Sequence, residues 1–264
     1  MSKIIPRDLI KHLEWVPGSQ LPPPRAPPSP PGSGAQVLSN PIVSLGDYWS
    51  IDNVVYKGEL YIADLSKSLL DGGNAHKQDE WASFSRESKE RGEFYMGNMP
   101  LNHAVFRAAY LTKDNPECKQ DTEDIRAFLK QQFRSKYPLT LTRVIYSSSG
   151  NDRIIHDYGL PDADTIDCSM MGPDEWVKDS PTPDIYQHLV GSSDINEIHA
   201  IYNWINDTNV RLYRVNSKPS NTDERVARFG ADSGRAGLYC YGDPSVTNSG
   251  LGVRLRKKIL GGSS

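Results

Sequence analysis

The chain has 264 residues, a net charge of -3 at pH 7 and 37% hydrophobic residues. This length can bury one sizeable core, and we expect one domain of about 220 residues that follows an N-terminal arm. The slightly acidic balance argues against a nucleic-acid-binding protein, which usually has a basic face. No segment approaches the roughly 18 consecutive apolar residues of a membrane span, so none is expected.

The N-terminal arm is predicted to cover residues 1–40. Residues 6–16 have the spacing of a short helix, and prolines crowd residues 21–34. Clustered prolines favour an extended polyproline conformation that acts as a semi-rigid spacer. Two interpretations stay open: a tether that carries the domain away from an attachment point or a strap along its surface, and an inert linker. The first residues lack the apolar core of a secretory signal. The location therefore stays open.

Residues 41–264 are predicted to form the domain. Strand-forming residues begin at Tyr48 and continue after the turn at Lys57-Gly58. Two helices should follow, with Asp79 and Asp121 as their N-caps. The segment 102–110 between these helices has no clear periodicity. The apolar face of the second helix is predicted to contain Ile125, Phe128, Leu129 and Gln132, with Phe133 at its margin.

The second half of the chain is dominated by strand patterns. Residues 139–146 and 153–158 should pair as a hairpin around a turn at 149–152. A helix is expected at 194–206, where Asp194 and Glu197 have the spacing of a capping box. Further strands are predicted at 210–215, 225–231, 236–241 and 250–257. Helices first and an antiparallel meander late indicate the α+β class.

The strand at 236–241 alternates between two kinds of residue. Its period of two places Ala236, Leu238 and Cys240 on a buried face and the residues between them on an exposed face. Tyrosine and arginine together are typical of recognition surfaces. A strand can also carry tyrosines for β-propensity alone, so this alternative stays open. The predicted ligand-binding set is Arg211, Tyr213, Gly230, Arg235, Gly237, Tyr239, Tyr241, Gly242, Val246, Thr247 and Asn248.

Residues 171–258 resemble the C-terminal part of variable proteins encoded by archaeal diversity-generating retroelements. The resemblance is carried by the runs at 171–176, 216–219, 226–233, 243–245 and 251–254, and by the spacing Ala236-x-Leu238-x-Cys240. Variable proteins of this kind have a C-type-lectin-like fold, distantly related to formylglycine-generating enzymes. Their ligand-binding face is diversified by a reverse transcriptase that miscopies adenines.

The resemblance implies a non-enzymatic binding protein, an adhesin or receptor-binding component of a virus or archaeal host. Its partner would be a protein or glycan on a target surface. The resemblance also implies that the N-terminal arm joins the domain to a virion or host assembly, with a virion surface as one candidate location. Two other classes stay open: an oxidase of the formylglycine-generating type and a structural virion component. The enzymes use a pair of C-terminal cysteines, whereas Cys240 is alone on the inward face of its strand.

Other potential sites are weak in this sequence. The widely spaced Cys118, Cys168 and Cys240 are expected to be buried free thiols. His156-Asp157 precedes Cys168, but adjacency in sequence does not supply the geometry of an activated nucleophile. Asn206-Asp207 faintly resembles a calcium-lectin motif, yet it is better interpreted as a helix end. We therefore predict no catalytic residue, no metal and no cofactor.

Overall fold

The computed structural model describes residues 41–258, which contain twelve β-strands in two sheets and five α-helices. The predicted α+β class is confirmed. The predicted arm, with its helix at 6–16 and its proline-rich segment, lies outside the described residues.

The first sheet brings both ends of the described chain together. Its order is β1 (Ile42–Leu45), β2 (Tyr48–Tyr56), β3 (Glu59–Leu69), β12 (Leu251–Lys257) and β4 (Tyr95–Met96), and all of its pairs are antiparallel. Lys57 (φ 49°) and Gly58 (φ 77°) form the tight turn between β2 and β3. Both φ values are positive, as a two-residue hairpin turn of this type requires. The last strand is anchored at Asp64, whose buried carboxylate accepts hydrogen bonds from Arg254 and Arg256.

The second sheet contains the predicted recognition face. Its order is β7 (Asp164–Cys168), β6 (Asp152–His156), β5 (Leu139–Tyr146), β10 (Asp223–Ala231), β11 (Ala236–Gly242), β9 (Val210–Tyr213) and β8 (Glu175–Trp176). The predicted hairpin of β5 and β6 is confirmed. Its second strand ends at His156 because Asp157 adopts a left-handed conformation, with φ 53°.

The predicted late antiparallel meander is wrong. Strand β10 pairs antiparallel with β5 along one of its edges and with β11 along the other. Strand β9 therefore pairs with the remaining edge of β11, and this pair is parallel. Strand β12 belongs to the first sheet, where Leu251 and Val253 pair with β3 and are buried. Burial of these apolar side chains decided the partner, which alternation alone does not reveal.

Five helices connect the strands: α1 (Gln78–Glu90), α2 (Met99–Leu111), α3 (Lys119–Ser135), α4 (Pro183–Val190) and α5 (Ile195–Asn206). The ambiguous segment 102–110 is helical, and Asn98 caps α2 by accepting a hydrogen bond from the Leu101 amide at 2.8 Å. None of the helices in residues 41–258 has the length and apolar character to cross a membrane.

Two of the three predicted N-caps are wrong. Helices α1 and α3 begin before Asp79 and Asp121, which lie in the first turns. Asp79 instead pairs with Arg143 at 2.8 Å, so a tertiary contact replaces the cap. Asp194 is confirmed as the cap of α5, because it accepts from the Glu197 amide at 3.0 Å. The second hydrogen bond of the capping box, from the Asp194 amide to the Glu197 side chain, does not form. The Glu197 carboxylate instead accepts a hydrogen bond from Arg107 at 2.8 Å.

An aromatic core fixes the inner face of the second sheet. Phe229 on β10 stacks on Phe133 of α3, with ring centroids 5.1 Å apart and planes 5° apart. Tyr202 of α5 and Phe106 of α2 complete this cluster. Phe133, predicted at the margin of its helix, is therefore a core residue. Because helices cover this face, the other face of β9, β10 and β11 is left for the candidate site.

Candidate recognition surface

The alternation predicted for β11 holds for its inner face. Ala236, Leu238 and Cys240 are buried. On the other face, the strand register aligns side chains from neighbouring strands. Tyr239 is opposite Arg228 on β10 and beside Tyr213 on β9. Residues in register on adjacent strands share a face, so the fold brings together side chains that are far apart in sequence.

These residues form an aromatic cluster that we call the tyrosine surface, made of Tyr137, Tyr213, Tyr239 and Tyr241. Tyr213 and Tyr239 are stacked, with centroids 4.6 Å apart and planes 4° apart. Tyr241 meets both edge-on, at 6.1 Å and 5.7 Å. Tyr137 contacts Tyr239 at 6.2 Å. Each such pair contributes about 0.5–1.5 kcal/mol beyond simple burial, which makes the cluster rigid.

The predicted exposure of Tyr239 is wrong. Only 8% of Tyr239 and 7% of Tyr213 are accessible, whereas 37% of Tyr241 is exposed. The stack itself covers the first two rings. Burial raises the pKa of Tyr239 and of Tyr213. Both hydroxyl groups therefore stay protonated at neutral pH.

Two glycines of the predicted set make room for these rings. A Cβ on Gly237 would lie 2.3 Å from Cε2 of Tyr239, and a Cβ on Gly230 would lie 2.3 Å from Cδ1 of Tyr137. Real Cβ atoms do not approach so closely, so a side chain at either position would displace a tyrosine ring. Gly230 and Gly237 are buried and can vary only together with the aromatic residues above them.

Gly242 has a different role from the one predicted. A Cβ there would lie 2.8 Å from the backbone oxygen of Val226, next to the register shift between β10 and β11. The backbone cannot yield as a side chain can. Gly242 is therefore part of the frame of the hairpin.

Three arginines surround the tyrosine surface. The Arg211 guanidinium lies 5.4 Å from the Trp176 ring and 5.5 Å from the Tyr213 ring. Arg228 lies 5.7 Å from Tyr137 and 5.6 Å from Tyr239. Arg235 is the exposed arginine of the predicted set. Its guanidinium lies 5.5 Å from the Tyr213 ring and pairs with Asp232 at 3.2 Å. Contacts of this kind hold a cation over the face of an aromatic ring.

Several polar atoms of this surface have no partner among residues 41–258. They are Nε of Arg211, Nε of Arg228 and the hydroxyl of Tyr213, all of them buried. Leaving a buried polar group unsatisfied costs about 1–3 kcal/mol. The Nη atoms of the two arginines have no hydrogen-bond partner among the described residues either and are not buried, so a ligand can supply acceptors to them.

Trp176, Arg228 and Tyr137 belong to the site but not to the predicted set. Period-two counting back from Gly230 would have placed Arg228 on the same face. Trp176 pairs with Arg211 across β8 and β9, a register that the sequence does not reveal. Tyr137 precedes β5 and has φ 48°, and no local pattern predicts its contact with β11.

The remaining predicted residues lie in the loop between β11 and β12. Asn248 exchanges backbone hydrogen bonds with His76 at 3.0 and 3.1 Å, and its carbonyl accepts from Nε1 of Trp81 at 2.8 Å. Val246 and Thr247 are exposed. The loop is thus anchored at the start of α1, and its hydrogen bonds do not connect it with the tyrosine surface.

The thiol of Cys168 has no neighbouring base to activate it in the β6–β7 hairpin. Cys118, Cys168 and Cys240 are buried free thiols, and burial raises the pKa of Cys168 to about 12. Both ring nitrogens of His156 are engaged, by Thr142 Oγ1 at 3.0 Å and the His188 carbonyl at 2.8 Å. His156 and Cys168 lie at opposite ends of the β6–β7 pairing. No thiolate and base are therefore adjacent in this hairpin.

The possible calcium motif is a helix end, as predicted. Asp207 caps α5 with φ 57°, and its carboxylate binds Arg126 and Lys130. Hydrogen bonding from Lys130 lowers the pKa of Asp207. Within residues 41–258 no group of three or more His, Cys, Asp or Glu side chains could hold a metal ion.

A cleft of about 610 Å³ lies among other residues, including Lys57, His103 and Glu197. His103 is buried, and its Nδ1 lies 3.3 Å from the Tyr202 hydroxyl. Burial, and then the nearby Arg107, lower the pKa of His103 to about 3. This histidine is therefore neutral at physiological pH.

Comparison with known proteins finds no matching family model, no matching curated protein and no matching solved structure. The function must therefore be inferred from the residues and geometry of the site.

Proposed function

We propose that this chain is a non-enzymatic binding protein that recognises a macromolecular ligand through the outer face of β9, β10 and β11. The observation that carries the proposal is the tyrosine surface with the unpartnered Arg211 and Arg228 at its sides. Tyrosine, tryptophan and arginine dominate the energetics of protein interfaces. Rigid aromatic rings also lose little conformational entropy on binding.

We further propose that the domain is C-type-lectin-like and that mutagenic reverse transcription diversifies this face. The separation of two sets of positions supports this idea. Phe229, Leu238 and Cys240 are buried in the core, while Arg235 and Tyr241 are exposed on the other side.

An oxidase of the formylglycine-generating type has less support. Its chemistry would need a reactive pair of thiols, and burial raises the pKa of both Cys168 and Cys240. Thiols of this kind behave as small apolar side chains. The partner would be a protein or glycan on a target surface, and the protein would serve a virus or archaeal host as an adhesin or receptor-binding component.

The gene locus tests this proposal. We expect a reverse transcriptase gene nearby and a second copy of the coding sequence for residues 210–256 that differs only at adenines. The differing codons should include those for Tyr239 and Tyr241, and the codon for Leu238 should be the same in both copies. A locus with no reverse transcriptase and no such copy would refute diversification.

A further inference from the structure

We propose that the ligand of the tyrosine surface is a protein segment whose aspartate or glutamate carboxylates bind Arg211 and Arg228. This inference rests on the proposed function, because it names the partner of the same face. It depends on the charges around the tyrosines, on the positions of the two guanidinium groups and on the location of three clefts among other residues.

The positive charge of this face is only partly neutralised by the neighbouring described residues. Arg235 pairs with Asp232 and Arg225 with Asp223, at 3.2 and 2.8 Å. Arg211 and Arg228 form no such ion pair within residues 41–258. The whole chain has a net charge of -3, so a basic face is a local feature. Complementary charge on a partner gives specificity and speeds association.

The two free guanidinium groups are already oriented. The Arg211 guanidinium lies near the rings of Trp176 and Tyr213, and the Arg228 guanidinium lies to one side of the rings of Tyr137 and Tyr239. Neither side chain donates a hydrogen bond to another residue of the described chain, and only the Nε atoms are buried, so the Nη donors are available. A planar guanidinium binds a carboxylate through two parallel hydrogen bonds. Because the rings restrict both arginines, little entropy is lost when a carboxylate binds.

The shape of the surface favours a protein partner. Tyr213 and Tyr239 form a closed stack, and the clefts of about 610, 310 and 560 Å³ are lined by other residues. Small ligands usually occupy concave pockets, whereas protein interfaces combine exposed aromatic rings with arginines. Tyr241 supplies the exposed ring here. A nucleic acid would need more cations, since such complexes commonly involve about 6–10 phosphate contacts.

The test selects binders from a displayed library of random linear peptides on the full-length protein. Parallel selections use the double variant Arg211→Gln/Arg228→Gln and the matched control Arg153→Gln. Arg153 is an exposed arginine on β6, two strands away from β10. We expect peptides enriched in Asp and Glu on the unchanged protein and on the control. On the double variant their affinity should fall by at least about tenfold.

The variant Arg211→Lys/Arg228→Lys separates charge from geometry, because lysine keeps the charge and loses the planar fork. We expect it to bind the acidic peptides more weakly than the unchanged protein. Selected peptides without acidic enrichment, or acidic peptides that bind the double Gln variant equally well, would overturn the inference. If neutral peptides are selected and Tyr241→Ala abolishes their binding, the face still binds ligands and only the proposed chemistry fails. If no selected peptide depends on any residue of the face, the proposed function fails as well.

Discussion

The close packing of the Tyr239 ring over Gly237 allows us to predict how far Gly237→Ala lowers the free energy of unfolding. Replacing Gly237 by alanine introduces a Cβ 2.3 Å from Cε2 of Tyr239, so the ring must leave its stack with Tyr213. Overpacking of this kind costs about 1–3 kcal/mol of unfolding free energy. In a Tyr239→Ala background, the three atoms nearest to the new Cβ are all removed, because all three belong to the Tyr239 ring. There it should cost less than about 0.5 kcal/mol, or even stabilise the strand, because alanine restricts the unfolded chain more than glycine does.

The two replacements are therefore expected to be coupled by about 1–3 kcal/mol in a double-mutant cycle. Tyr239→Ala alone should cost about 1.5–4.5 kcal/mol, because it removes a parallel stack and two edge contacts. Equilibrium unfolding in urea measures the free energy of unfolding of the unchanged protein, the two single variants and the double variant. Gly234→Ala is the matched control in the same hairpin, where the nearest atom to a new Cβ is 3.6 Å away. Costs that simply add within about 0.5 kcal/mol would refute this packing.

Three further predictions concern the core, the buried histidine and the thiols. Leu238→Ala should cost about 2–5 kcal/mol in urea unfolding, since it opens a core cavity, whereas Tyr241→Ala should cost about 1–3 kcal/mol, since it removes two edge contacts with neighbouring rings; a larger cost for Tyr241→Ala than for Leu238→Ala would contradict the assignment of faces. The pKa of His103 falls from 6.5 to about 3 on folding, so the unfolded state binds more protons between these values and stability should decline as pH falls below about 6.5. His103→Gln should reduce that slope, which is at most about 1.4 kcal/mol per pH unit, and an unchanged slope would contradict the neutral buried histidine. Thiol reagents should not react with Cys168 or Cys240 until the protein unfolds, and Cys240→Ser should leave peptide affinity unchanged; rapid labelling of the native protein would contradict their burial.

The inner face of β11 could be predicted because alternation is a local property. Burial on the outer face could not, because it depends on residues of other strands. Tyr239 is covered by Tyr213 of β9 and by Tyr137. Gly230 of β10 makes room for the rings of Tyr137 and Tyr239. None of these contacts follows from the order of residues within one strand.

The same distinction explains the errors in the fold. Alternation at 251–257 indicates a strand but not its partner, which is set by burial of Leu251 and Val253 and by the contact of Arg254 with Asp64. Asp79 has the chemistry of an N-cap, yet its pairing with Arg143 lies outside the local sequence. Asp194 could be predicted because its cap involves only the next turn of the same helix.

The most direct test of the central claim is the natural variation of this gene within one population. Deep sequencing of the coding segment for residues 205–258 measures which codons differ between copies. We expect amino-acid differences at Arg235, Tyr239 and Tyr241, and changes at Gly237 only in copies that have lost Tyr239. Phe229, Leu238 and Gly242 should be constant, because they are fixed by the core and the backbone. Differences spread evenly over both faces of the sheet would contradict a diversified recognition surface.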